Sequence, residues 1–307
     1  MSRSVLIAIL FAYALAAQPE RRRIGEIEFY GSAGVDVNAV RGALPVHEGE
    51  EIALDDADAL IVKLQGAAGT SHVNMVCCDD AGRLEIYIGL AGKSARDVPY
   101  RPVPEGTIRL PKLVIDLHRQ FTDALQKAVI KGDAAEDDSK GYALFANPEV
   151  RKAQAALRDY ALRHEGLVRR VLESSSDSDH RAIAAQLMGY VRPSRGQINA
   201  LARASQDSSD EVRNNATRAL GVIARSDPRR AAGIPMTGLI EMMYSKTWTD
   251  RNKVAALLDA ITQGGDPKVI GEVCGKAREP LEEMARWRSP GHAYSAKSIL
   301  ARCGTSH

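Results

Sequence analysis

A repeat constrains this chain more than any single motif does. Placing Gly189 on Gly221 superposes Arg181 on Arg213, Ala184 on Ala216 and Met188 on Leu220, a shift of 32 residues. Arg251, Val254 and Leu258 continue the same spacing, and His292, Ser295 and Ile299 continue it more weakly. Each copy has apolar residues three and four apart, the spacing of one helix face. A helix pair of this size cannot bury such a face alone, so copies recurring every 31 to 41 residues must stack on one another. Polar caps at Ser178-Asp179, Ser209-Asp210, Thr249-Asp250 and Ser289-Pro290 open the second helix of each pair. The first helices are expected at 164–173, 193–204, 231–244 and 267–286.

The run Asp210-Glu211-Val212-Arg213-Asn214-Asn215-Ala216-Thr217-Arg218-Ala219-Leu220-Gly221 resembles a HEAT repeat, in the short variety first described in phycobilisome lyases. Residues 179–189 support the match. The resemblance implies an α-solenoid over 164–307. In it the small residue three after the Arg lets helices approach, the aliphatic seven after it fills the core, and the Arg sits near a turn where it can meet an Asp or a helix C-terminus. Two helices, 111–131 and 149–163, precede the repeats and are expected to cap the first face, within a capping region of 111–163.

The first third of the chain has a different period. Ile24, Ile27 and Phe29 read as a strand ending at Gly31; Val37, Val40 and Leu44 then lie on a helix capped by Asp36, and Ala59, Leu60, Val62 and Leu64 on a second helix. Strands at 73–78 and 84–90 follow, joined by Asp79-Asp80-Ala81-Gly82. The order over 24–92 is β-α-α-β-β. With Ile27, Phe29, Gly31, Val40, Arg41, Leu44, Val46 and Gly49 in their places, the segment resembles a POTRA domain. That resemblance implies a small envelope module that binds polypeptide, often by strand addition. The fold class is therefore mainly α: a HEAT-like α-solenoid preceded by a small POTRA-like α/β domain. Pro99, Pro102, Pro104 and Gly106 mark 93–110 as an extended linker.

Arg3, the apolar run 5–17 and the small residues Ala14, Ala16 and Ala17 fit a secretory signal peptide over 1–17. The alternative is an uncleaved anchor, which Arg21-Arg22-Arg23 would favour. Export, to periplasm or extracellular space, opens the four Cys to oxidation. Cys274 and Cys303, on neighbouring helices, form the candidate disulfide; adjacent Cys77 and Cys78 are expected as two separate thiols, because a bridge between neighbours needs a distorted backbone.

The chain has 41 Lys plus Arg against 39 Asp plus Glu, a net charge of +2 that gives no broad pull toward nucleic acid. Scattered His and the absence of His-Glu-x-x-His or Gly-x-Ser-x-Gly name no catalytic residue, and no cofactor or metal set is indicated. Asp133, Glu136, Asp137 and Asp138 lack the alternation of a calcium loop and are expected as a solvated acidic loop. Tyr142, Leu144 and Phe145 beyond them either tuck against the solenoid or form a patch for a partner. The expected role is an exported protein–protein scaffold of the bacterial envelope, its protein partner unspecified, with no membrane insertion after signal cleavage. The alternative is an enzyme or enzyme subunit of the lyase type acting on a small molecule or chromophore.

Overall fold

The structure, a computed structural model, describes residues 20–65, 67 and 70–305. The candidate leader, 1–17, lies outside the described residues. Strands β1 (Arg21–Tyr30), β2 (Glu51–Ala53), β3 (Thr70–Val76) and β4 (Leu84–Leu90) form a sheet in the order β2-β1-β4-β3, with helices α1 (Val37–Gly42) and α2 (Ala57–Gln65) on one face. β1 runs parallel to β4, and the outer pairings are antiparallel. Sequence periodicity misses β2 and starts β1 at Ile24. In the fold Arg21, Arg22 and Arg23 lengthen β1 by pairing with Ala53, Ile52 and Glu51.

Every residue of β4 is buried, as expected of a central strand covered on both faces. Ile86, Ile88 and Leu90 meet Val40, Leu60 and Leu64 from the two helices and Leu44, which follows α1 rather than lying on it as expected. Tyr87 points the other way and joins Tyr30 in the core of the helical part.

That part opens with α3 (Lys112–Ile130), a hairpin of β5 (Glu136–Asp137) and β6 (Leu144–Phe145), and α4 (Pro148–Arg163). Helix pairs follow: α5 (Glu165–Ser174) with α6 (Ser178–Met188), and α7 (Arg195–Ala204) with α8 (Asp210–Ser226). Then come α9 (Pro228–Ala231) and α10 (Thr237–Met242) with α11 (Trp248–Thr262), and α12 (Pro267–Ala285) with α13 (Pro290–Thr305). The single helix expected over 231–244 is split in two, with Gly233 and Pro235 between its parts. Helices α6, α8, α11 and α13 stack as one row, and α5, α7, α10 and α12 line the other side. The molecule is a mainly helical repeat solenoid carrying a small N-terminal sheet.

The repeated arginines hold the stack. Arg181 donates from Nε and Nη2 to both carboxylate oxygens of Asp207, at 2.9 and 2.8 Å, and from Nη1 to the Ser175 carbonyl. Arg213 does the same one repeat later, to Asp250 at 2.9 Å through each nitrogen and to the Asp207 carbonyl. Arg251 donates to the Ser245 carbonyl and lies 3.5 Å from Glu283. Each guanidinium thus bridges the turn of its own pair and the acid of the next. Asp250, expected as part of a helix cap, is instead fully buried inside α11 as the counter-ion of Arg213.

Residues 93–110 are extended, but they are no free linker. The Arg96 N–H donates to the Tyr244 carbonyl and the Arg101 N–H to the Gln206 carbonyl, and Gly106 forms a parallel bridge with Ser175. The segment runs back along the turns of successive repeats, about five residues to a repeat, from the last pairs to the first. A Cβ on Gly106 would lie 2.2 Å from the Ser174 carbonyl oxygen, so only glycine permits this approach. Tyr100 donates to Asp250 at 2.7 Å and lies under the Arg213 guanidinium, 3.7 Å from its ring centre.

The sheet in turn sits against the far end of the stack. Tyr30 donates to the Lys246 carbonyl at 2.9 Å, Trp287 Nε1 to the Phe29 carbonyl at 3.1 Å, and Arg288 to Glu28 at 2.9 Å. Cys274 and Cys303 are joined, with Cα atoms 5.7 Å apart, and tie α12 to α13. Cys77 and Cys78 are also joined, across a cis peptide, in place of the two separate thiols expected.

Candidate functional site

Helices α3, α6, α8 and α11 and the β5–β6 hairpin enclose a groove of about 770 Å³. α3 leans over it rather than only capping the stack, because Ile115, His118, Phe121, Thr122 and Leu125 fall on one face at spacings of three and four. The floor is built from repeat-equivalent positions. Asp179, Glu211 and Thr249 lie on the first turns of α6, α8 and α11; Ile183, Asn215 and Lys253 lie one turn further on. Backbone and caps fix these helices, so the columns differ from repeat to repeat in side chain alone.

The hairpin closes one side, and its acids have partners. Glu136 pairs with Arg218, and Asp138 accepts from Arg225 at 2.7 Å, both arginines being on α8. Of the acids expected to be solvated, Glu136 and Asp138 are counter-ions for the solenoid, whereas Asp133 and Asp137 are exposed. Tyr142 is half-buried, lines the groove and carries the Arg158 guanidinium 4.0 Å from its ring centre. Phe145 is 8% exposed and packs on Phe121 with ring centres 6.1 Å apart. Leu144 is half-buried and lies outside the groove lining. Of the three residues expected either to tuck against the solenoid or to form a contact patch, two therefore line the groove and none is fully exposed.

The charges of the groove are uneven. Burial, helped by Arg218 and Arg225 and opposed by Glu136, pushes the Lys253 amine down to about 8. Burial with the nearby carboxylates of Asp210 and Asp179 raises Glu211. Burial lowers the His118 imidazole, offset in part by a hydrogen bond to Gln186. Asn215 donates to the Ala182 carbonyl at 3.0 Å, whereas the buried Asn214 Oδ1 and Trp248 indole N–H have no hydrogen-bond partner among the described residues. Among the described residues, no group of three or more His, Cys, Asp or Glu could hold a metal ion, and no helix is long and apolar enough to cross a membrane.

Sequence reading missed Lys253, Glu211 and His118. The usable signal lay in the repeat alignment: two residues after each Arg the side chain changes from Ile183 to Asn215 to Lys253, while the next position stays small or aliphatic as Ala184, Ala216 and Val254.

No family model and no curated protein matches the sequence. Solved structures with a similar course are a designed armadillo repeat protein, 18% identical over 62% of this chain and 91% of that one at a TM-score of 0.42, and a computationally designed armadillo repeat protein for modular peptide recognition, with the same identity and coverages at 0.40. An engineered protein is 19% identical over 63% of this chain and 89% of that one, also at 0.40.

Proposed function

We propose that the chain is an exported binding scaffold of the bacterial envelope, without catalysis of its own, in which the solenoid groove holds a segment of a partner protein. The observation that carries this reading is the groove itself: an open channel across three repeats, walled by apolar side chains and edged by charged ones, of which Asp179, Glu211 and Lys253 form no ion pair among the described residues. Such a surface is what a stack of repeats offers a polypeptide. The N-terminal unit is read as POTRA-like, on its strand order and on Gly31, Val40, Arg41 and Gly49. The Cys274–Cys303 bridge supports an oxidising compartment.

A photo-crosslinking amino acid placed at Ile183, in the groove, and at Val62, exposed on α2, tests the reading in cells that make the full chain. The expected result is a discrete adduct from position 183 and none of that mass from position 62. Identical patterns from both positions, or no adduct from 183, would rule the groove out. Amino-terminal sequencing of the same material tests export, with a mature end at Ala17 or Gln18 as the expected outcome.

A further inference from the structure

We propose that the groove takes an extended peptide in one orientation, seating a carboxylate on Lys253 and a cationic group against Asp179 and Glu211. This rests on the reading of the groove as a polypeptide site and adds the chemistry of what it selects. The basic residues of the wall are not equivalent. Arg218, in the lining, and Arg225, beyond it on α8, are occupied by the hairpin acids Glu136 and Asp138, whereas Lys253 takes part in no hydrogen bond or ion pair among the described residues. A partly buried cation whose nearest carboxylate, Glu136, is already paired with Arg218 costs the fold stability, and a ligand anion supplies a direct partner. At the other end Asp179 and Glu211 carry no counter-ion among the described residues, and partial burial together with Asp210 and Asp179 raises the Glu211 carboxyl.

The two ends are separated along the solenoid axis, from α6 and α8 to α11. Lys253 on α11 is one helix spacing of roughly 8–10 Å from Glu211 on α8 and two from Asp179 on α6, about 10 to 20 Å in all, the reach of about three to six extended residues. An extended chain fits, and between its charged ends Ile183, Val222 and Phe121 present an apolar floor and wall. The molecule already holds one such chain, since 93–110 lies extended along the repeat turns through backbone hydrogen bonds.

Selection of displayed random octapeptides on the full chain, repeated with Lys253→Glu and Lys253→Met, tests this. The wild type is expected to enrich peptides with Asp, Glu or the free C-terminus at one end and Lys or Arg about three to five residues away, always in the same order. Lys253→Glu is expected to replace the acidic preference by a basic one. Lys253→Met is expected to lose the preference and to bind an enriched wild-type peptide roughly tenfold or more weakly. Far-ultraviolet circular dichroism confirms that each variant is folded. An enriched motif with no acidic position, or one unchanged by Lys253→Glu, overturns this proposal and leaves peptide binding standing. No enrichment with any of the three proteins overturns both.

Discussion

Asp250 is the residue on which most depends. It is fully buried and accepts from Arg213 twice, from Ser245 and from Tyr100, so a turn, a repeat and the extended segment meet at one carboxylate. Asp250→Ala leaves the Arg213 guanidinium without its counter-charge, and the expected loss is about 3–5 kcal/mol in chemical denaturation. Adding Arg213→Leu should restore part of it, because the uncompensated cation goes too; full additivity would refute the pairing. Lys253 has the opposite sign. Its amine is lowered in the fold, so between about 8 and the unfolded value near 10.5 the unfolded chain binds more protons, and stability rises with pH across that window. Lys253→Met should therefore stabilise at pH 7 by on the order of 1 kcal/mol, with the gain vanishing by about pH 11. A pH-independent gain would mean that the amine is not strained. Sequence showed the Arg half of these pairs plainly, since Arg181, Arg213 and Arg251 recur in register. It did not show their acids, because Asp207, Asp250 and Glu283 occupy different places in their repeats.

Among the elements, the helices were legible from period and caps, and the sheet from alternation. The extended segment 93–110 was legible only as prolines and a glycine. Its attachments are backbone N–H and carbonyl groups, which every residue carries, so no side-chain pattern announces them. The hairpin was hidden for a related reason: two-residue strands leave no period, and acids paired across 82 and 87 residues of sequence look like solvated ones. Gly106 offers the sharpest test of the segment. Gly106→Ala drives a methyl into the Ser174 carbonyl, and the expected cost is about 1–3 kcal/mol. Amide hydrogen exchange should quicken at Arg101 and Ser176, whose N–H groups depend on the segment lying down. Unchanged protection at both would show that the contact is dispensable.

For the molecule as a whole, the docking of the sheet on the last repeats makes one body from two modules. The sheet meets α11–α13, 93–110 returns to the first pair, and the solenoid runs forward again, so chain order and spatial order form a closed circuit. The two tryptophans of the chain both sit at this junction. Trp248 stacks on Tyr87 at 4.6 Å between ring centres, and Trp287 lies 5.0 Å from the same ring. Indole fluorescence therefore reports the junction, while far-ultraviolet dichroism reports the helices. If docking is cooperative with the solenoid, the two denaturation curves coincide in the wild type. Tyr87→Ala removes the ring that both indoles touch and opens a cavity between the modules, at a cost of about 3–5 kcal/mol to the junction. The fluorescence transition should then move to lower denaturant than the dichroism transition, because the outer repeats keep their own nearest-neighbour contacts. Curves that stay superposed in Tyr87→Ala would show that the sheet and the solenoid share one folding unit deeper than this aromatic cluster. Curves already separate in the wild type would show that the modules are docked but energetically independent.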